Sequence, residues 1–412
     1  MKSGTAPDHK GGLTVRGGKG DGGHRLGILF ATVLVDLIGF GIVLPILPLY
    51  AAGFGARGLE TGLLISVYSL VQLVMAPLWG RLSDRFGRRP ILILGLLGSA
   101  VAYFIFARAD SLAMLFLSRI IGGIGGSTIP VAQAYIADVT PPERRAGNMG
   151  LIGAAFGLGF VIGPLLGGPI LSPLSPGEPT VPGYTAAALC LANAIAAILW
   201  LPESRGRGGA TTASRFDLRA ALARVASSRQ ILLTLATYLC ITMAFSTLQP
   251  TLSPLASQRF GMGAREAGYL FGLLGAVSAI VQGGIVRRLV PRTGELALLR
   301  ASALPFAAGL ALVGLSSGTP LLLTGLVLLG IGYGGAIPSI LGLLSRAVEP
   351  ERQGAVLGVG QSVGSSARVI GPSMAGTLFD VRLFLPYLAG AALIVVATAI
   401  SAGLRQPRGQ DP

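Results

Sequence analysis

Gly80-Arg81-Leu82-Ser83-Asp84-Arg85-Phe86-Gly87-Arg88-Arg89-Pro90 is the stretch that decides how this chain is read. It sets five charges and two glycines between residues 63–78 and 91–107, neither of which contains an Asp, Glu, Lys or Arg. Apolar runs of that length need hydrocarbon around them, so residues 80–90 read as a short, tight loop at a membrane surface. Gly80 and Gly87 are expected to supply the turns at the helix ends, and Asp84 is suited to accept hydrogen bonds from exposed helix N-terminal amides. Arg85 and Arg88 are its expected local partners.

The rest of the chain agrees with a membrane setting. Of 412 residues, 52% are hydrophobic and 12% charged, and the mean hydropathy is +0.71. These values indicate a polytopic membrane protein. Both histidines, His9 and His24, lie near the N-terminus, which excludes zinc chemistry and histidine catalysis within the membrane. Cys190 and Cys240 each fall in an apolar run and read as small core residues, not as a disulfide framework. The net charge of +15 is distributed by side: most of the 32 Lys and Arg fall on one face of the predicted membrane, and few on the other or inside it. That asymmetry marks the cytoplasmic face and makes the lipid bilayer, not nucleic acid, the partner of the basic residues.

Apolar runs near residues 26–51, 60–80, 90–107, 111–137, 146–170, 183–201, 230–255, 265–286, 296–316, 319–344, 354–378 and 383–404 predict twelve spans with both termini cytoplasmic. The expected organisation is a disordered tail over 1–25, a six-helix bundle over 26–201, a cytoplasmic linker over 202–229, a second six-helix bundle over 230–404 and a short tail over 405–412. Residues 26–52 are too apolar and too long for a cleavable signal sequence, and are expected to stay as the first span. The halves are copies: Gly126 and Gly334, Pro130 and Pro338, Pro142-Glu143-Arg144 and Pro350-Glu351-Arg352, Gly163-Pro164 and Gly371-Pro372, and Gly168 and Gly376 all differ by 208 positions. A parallel repeat of this kind puts a substrate cavity at the midplane between two bundles.

Charges inside hydrocarbon cost about 2.5–3.5 kcal/mol each on insertion scales and persist where they have a partner or a cavity. Asp36, in Asp36-Leu37-Ile38-Gly39-Phe40-Gly41, is therefore a candidate site for a proton or a cationic substrate. Arg119, just before Gly122-Gly123, is a candidate to bias the charge state of Asp36. Arg368, four residues before Pro372, is a candidate substrate anchor. Gln72, Gln133, Gln249, Tyr333 and Gln361 are the polar residues that could line the same cavity. In Gly159-Phe160-Val161-Ile162-Gly163-Pro164-Leu165-Leu166-Gly167-Gly168, glycines four apart make a flat helix face for close approach, and Pro164 removes a backbone donor beside it. Residues 53–58 fit GxGxxG literally but follow a membrane helix and not a strand, and no phosphate-binding lysine motif is present, so neither nucleotide binding nor ATP as energy source is expected.

The twelve-span, two-half layout and residues 80–90 together resemble the major facilitator superfamily, an all-α membrane fold of two pseudo-symmetric six-helix bundles. In that family the equivalent of Asp84 helps latch the halves on the cytoplasmic side, so the resemblance implies a gate formed by Gly80, Asp84, Arg85, Gly87 and Arg88. The repeat copy near residues 287–295 is degraded, so the latch is expected to be asymmetric. Gly159, Gly163, Pro164, Gly167 and Gly168 match the family's antiporter motif, which accompanies export in exchange for a cation, chiefly protons. With Asp36 and Arg119, they look most like the tetracycline and multidrug efflux branch. One position departs: Ala102 precedes Tyr103 where tetracycline exporters carry an Asp, so the resemblance speaks for drug-type export more than for tetracycline. It implies a monomeric, proton-coupled antiporter of the bacterial plasma membrane, with a lipophilic drug-like substrate, no cofactor and no enzymatic activity. Uptake or export of a nutrient or metabolite by the same fold is the alternative.

Overall fold

The computed structural model describes residues 21–174, 178–204, 228–348 and 353–406. The predicted N-terminal tail up to residue 20, most of the predicted linker, the triplet Pro350-Glu351-Arg352 and residues 407–412 lie outside them. Every regular element among the described residues is helical. Ten helical stretches are long and apolar enough to cross a membrane. Two of the twelve expected spans are not separate members of that set. Residues 265–286 and 296–316 fall in one helical run, Ala264–Leu315, and the helix Gln353–Val381 is diluted by Gln361, four serines and Arg368.

Prolines divide several of the membrane-length segments. Helices α1 (Asp21–Val43) and α2 (Leu47–Gly53) meet at Pro45. After α3 (Gly58–Phe86) and α4 (Arg88–Ala107), α5 (Leu112–Gly125) and α6 (Ile129–Val139) meet just before Pro130. A proline cannot donate to the preceding turn and collides with its carbonyl, so the helix restarts there. Helix α7 (Pro142–Leu165) instead continues into a π-helix, Leu166–Leu171, directly after Pro164, as expected where a backbone donor is missing. Helix α8 (Thr180–Trp200) completes the first half. The second half comprises α9 (Arg229–Ser246), α10 (Leu248–Phe260), α11 (Ala264–Ile280), α12 (Arg287–Leu315), α13 (Thr319–Arg346), α14 (Gln353–Val381) and α15 (Leu385–Ala402).

The charged stretch that opened the reading is more compact than expected. Helix α3 runs through Gly80 to Phe86 and α4 starts at Arg88, so the turn is Gly87 alone, with φ 101° and ψ 160°. Gly80 is an interior helical residue with open space where a side chain would stand. Charge does not end a helix; it lets α3 continue past the hydrocarbon into water, and only the left-handed φ of Gly87 reverses it. Gly294 interrupts α12 in the same way, with φ 77° and ψ 163°. The second-half copy is thus degraded in sequence but keeps its backbone turn. Beside each turn lies an ion pair of opposite polarity: Arg88 Nε to Asp138 Oδ2 at 3.1 Å in the first half, and Arg346 Nε to Glu295 Oε1 at 2.9 Å in the second.

Buried apolar residues cluster by half. Two clusters, one around Leu92, Tyr135 and Leu201 and one around Ile46, Phe106 and Cys190, draw only on the first half. A third, around Leu252, Phe306 and Tyr387, draws on the second half and includes Leu44 from the first. Two seams join the halves. Along one, Gly58 and Gly62 of α3 lie against Gly376 and Pro372 of α14; along the other, Gly168 lies against Ala264 and Gly268 of α11. Asp380 clasps the first seam, its carboxylate accepting from the Gly58 amide at 2.7 Å and the Leu59 amide at 2.9 Å. The second seam continues along α11, where Gly272 lies against Leu165 and Gly275 against the Phe160 carbonyl. Toward the turns, Gly147, Gly150, Gly153, Gly157, Gly283 and Gly284 have nothing within 4 Å of a would-be Cβ.

Candidate functional site

Asp36 projects from α1 toward α8 and α4. The Cys190 thiol points at its Oδ1 from 3.9 Å, and Ser99 is its other polar neighbour. Gly39 lets these groups close in, since a Cβ there would stand 3.2 Å from both Cys190 Sγ and Tyr103 Cε2. Cys190 is therefore a buried core residue, as expected, that also touches the membrane's acidic group.

Arg119 is 3% exposed and has no carboxylate at ion-pair distance among the described residues. Its guanidinium instead sits in an aromatic box, 5.4 Å from the ring centre of Phe106, 5.9 Å from Tyr68 and 6.0 Å from Tyr103. Nε lies 3.4 Å from Ser118 Oγ, and Nη2 is buried without a hydrogen-bond partner. Arg119 and Asp36 meet through the same two phenols, since Tyr68 and Tyr103 each interact electrostatically with both.

Tyr68 is the hub. Its ring lies 5.3 Å from that of Phe40, and the Gln72 amide donates to its Oη at 3.3 Å and to the Gly126 carbonyl at 2.9 Å. Arg368 of α14 also acts on the Tyr68 hydroxyl, and on that of Tyr333; its own hydrogen bond is to Ser365 Oγ at 2.9 Å. Tyr333 stacks on Phe245 with centroids 3.6 Å apart. The fold thus gathers Asp36, Arg119, Arg368, Gln72 and Tyr333 around one phenol and its neighbours. Gln133 is half-buried, Gln249 buried and Gln361 exposed, and none makes a side-chain hydrogen bond among the described residues.

The residues of the turn lie apart from this group. Asp84 Oδ1 pairs with Arg88 Nη1 at 2.7 Å, and Arg88 also reaches Asp138 and Ser83. Arg85 lies over the ring of Phe86. The α4 N-terminal amides, which Asp84 was suited to cap, are instead held by Glu203: Arg88 N donates to Oε1 at 2.9 Å and Arg89 N to Oε2 at 3.2 Å. A carboxylate returning from beyond α8 approaches those amides along the helix axis, whereas Asp84 lies on the preceding helix and turns to Arg88. In the fifth span, Gly159, Gly163 and Gly167 meet Leu37, Gly41 and Ile42 of the α1 segment, whereas Gly168 and the Pro164 carbonyl meet Gly268 of α11. One motif therefore contacts both the Asp36 helix and the opposite half.

Sequence reasoning passed over Tyr68, Tyr103, Glu203 and Asp380. Tyr68 carried a usable signal, sharing a helix face with Gln72 one turn away. Glu203 and Asp380 did not, because their partners are backbone amides more than 100 residues distant.

Residues 29–372 match the Major Facilitator Superfamily. The chain is 30% identical to the tetracycline resistance protein, class B, of Escherichia coli over 86% of its length and 88% of the relative's. It is also 30% identical to the human major facilitator superfamily domain-containing protein 10, over 88% of each chain. The crystal structure of that human protein, described as the organic anion transporter MFSD10 (TETRAN), superposes with a TM-score of 0.69 at 26% identity, covering 92% of this chain and 99% of that one.

Proposed function

The chain belongs to the major facilitator superfamily, and from that premise we propose that it is a proton-coupled exporter of a lipophilic, drug-like compound. It is a membrane transporter and not an enzyme, and members of its family work without a cofactor. We read it as twelve spans in two six-helix bundles, counting α14 and dividing residues 264–315 at Gly294. The bundles take residues 26–201 and 230–404, joined by a linker over 202–229, with both termini on the cytoplasmic side of a bacterial plasma membrane.

The observation that carries the reading is the gathering of Asp36, Arg119 and Arg368 around Tyr68. Asp36 takes up a proton from outside and releases it inside, and substrate occupies the site between these events. We read the Gly58–Gly376 and Gly168–Gly268 contacts as the closed, outer side of an arrangement that faces the cytoplasm. In the opposite one, Asp84 and its turn would close the cytoplasmic side, while the Gly58–Gly376 and Gly168–Gly268 seams separate. The Gly159–Gly168 segment ties movement of the Asp36 helix to the second half. Inward movement of one charge supplies about 2.3 kcal/mol per 100 mV, roughly fiftyfold accumulation, before any pH gradient is added. That suffices for resistance by a monomer without ATP.

Expression in a drug-sensitive host, challenged with a panel of lipophilic inhibitors, tests the proposal. At least one compound should require several-fold more to stop growth, and Asp36→Asn, present at normal level in the membrane, should erase the protection. Protection by Asp36→Asn equal to the parent chain, or none from the parent across the panel, would overturn it; nutrient or metabolite transport would then be the reading to pursue.

A further inference from the structure

We infer that the groove on the outer face of α4 is a binding site for one anionic phospholipid, its phosphate on the Arg89 guanidinium and an acyl chain along Ile93, Leu94 and Leu97. The inference rests on the chain's place in a membrane and not on the proposed substrate or proton.

The two arginines after Gly87 part company. Arg88 turns inward, where it pairs with Asp84 and Asp138 and reaches Ser83. Arg89, next round the helix, has no carboxylate at ion-pair distance among the described residues. Among those residues its side chain donates only to the Ile198 carbonyl, through Nη2, and its Nε is buried without a partner. Glu203, which reaches this end of α4, is committed to the backbone amides of Arg88 and Arg89. A guanidinium has five N–H donors, so most of the capacity of Arg89 is unmet. The carbonyl end of α8 offers it part of a negative charge; a phosphate diester offers a whole one.

The groove begins at that guanidinium. Residues 89, 93 and 97 form one row along α4 and residues 90 and 94 the next, the four-residue spacing that leaves a furrow between ridges of side chains. Arg89, Pro90, Ile93, Leu94 and Leu97 line an open groove of about 320 Å³ there. Pro90 and Leu94 are exposed, and the same face continues through the exposed Val101 and Phe104, so no other helix among the described residues covers it. From Arg89 to Leu97 the helix rises about 12 Å, enough to pass from the headgroups well into a hydrocarbon half about 15 Å thick. Trp200, two residues past Ile198 and 66% exposed, marks the level of Arg89 as the membrane interface, where indole rings collect.

Charge selects the occupant. Residues 205–227, which follow α8, carry five arginines and one acid, Asp217, and would bring repulsion to Arg89. A second copy packed here about a two-fold axis would set α4 against α4 and Arg89 near Arg89. A phospholipid brings a negative phosphate at the interface and an apolar chain beneath it, the order in which the groove is built. On the orientation proposed above this is the cytoplasmic leaflet, whose anionic lipids are drawn to basic pockets at helix ends.

The test is native mass spectrometry of the full chain, stripped of lipid in detergent, with three probes: palmitoyl-oleoyl phosphatidylglycerol, phosphatidylcholine with the same chains, and glycerophosphoglycerol, which is the first lipid's headgroup alone. One phosphatidylglycerol should be held at least about fivefold more tightly than phosphatidylcholine, the weight of one basic residue at a membrane surface, and an excess of the soluble headgroup should not displace it. Arg89→Gln should lower the affinity for phosphatidylglycerol about fivefold and leave that for phosphatidylcholine unchanged, with Arg89→Lys in between. Leu94→Trp, which fills the groove, should weaken phosphatidylglycerol binding, whereas Leu304→Trp, at a 77% exposed position of α12, should not. Equal retention of the two lipids, displacement by the soluble headgroup, or equal effects of Leu94→Trp and Leu304→Trp would overturn the inference, as would a dimer that Leu94→Trp dissociates. Should Arg89→Gln fail to fold, having lost the Ile198 contact, the preference of the parent chain and the two tryptophan variants still decide. None of these outcomes depends on whether transport moves protons.

Discussion

At the scale of single residues, the account depends on groups whose partners come from far along the chain. Gly87 has a left-handed φ, and a Cβ there would run into the Glu203 carboxylate that caps α4. Gly87→Ala should therefore destabilise the protein by about 1–2 kcal/mol, measured as a fall in melting temperature in detergent, whereas Gly80→Ala, facing open space in a helix, should be neutral or slightly stabilising. Asp36, Arg119 and Arg368 stood out in the sequence because charge is rare in hydrocarbon. Their common neighbour did not, since an isolated tyrosine in an apolar run carries no mark of what it touches. The turn was legible in kind but not in length, because a helix that leaves the membrane can stay helical in water.

At the scale of elements, the antiporter motif is a packing device with two faces. Gly163 lies on Gly41, where a Cβ would be 2.5 Å from that residue's Cα, whereas Gly153, on the same helix, has nothing within 4 Å. Gly163→Leu should separate α7 from α1 and abolish transport, with reduced melting temperature, while Gly153→Leu should keep both. Equal effects of the two changes on transport would show that the motif's register does not matter. Small-residue spacing and the 208-residue repeat were readable from sequence, because both rest on residue type at a fixed interval. The break between α5 and α6 has no counterpart in α13, which runs unbroken through Pro338, so a repeat in sequence did not guarantee one in helix geometry.

At the scale of the whole molecule, the first and second halves of the chain meet where Gly58 and Gly62 lie against Gly376 and Pro372, and Asp380 is the polar clasp there. Asp380→Ala removes the acceptor of both amides, worth about 1 kcal/mol, or roughly fivefold in the balance between the two arrangements. Spin labels at Leu59 and Val381 should then report a larger share of long distances; an unchanged distribution would remove Asp380 from the gate. The central claim is that Asp36 exchanges a proton for substrate. Its most direct measurement imposes a substrate gradient across liposomes containing the purified chain and follows pH on both sides. Protons should move against the substrate with the parent chain and stay still with Asp36→Asn; substrate flux without proton movement, or with protons travelling alongside it, would contradict the account.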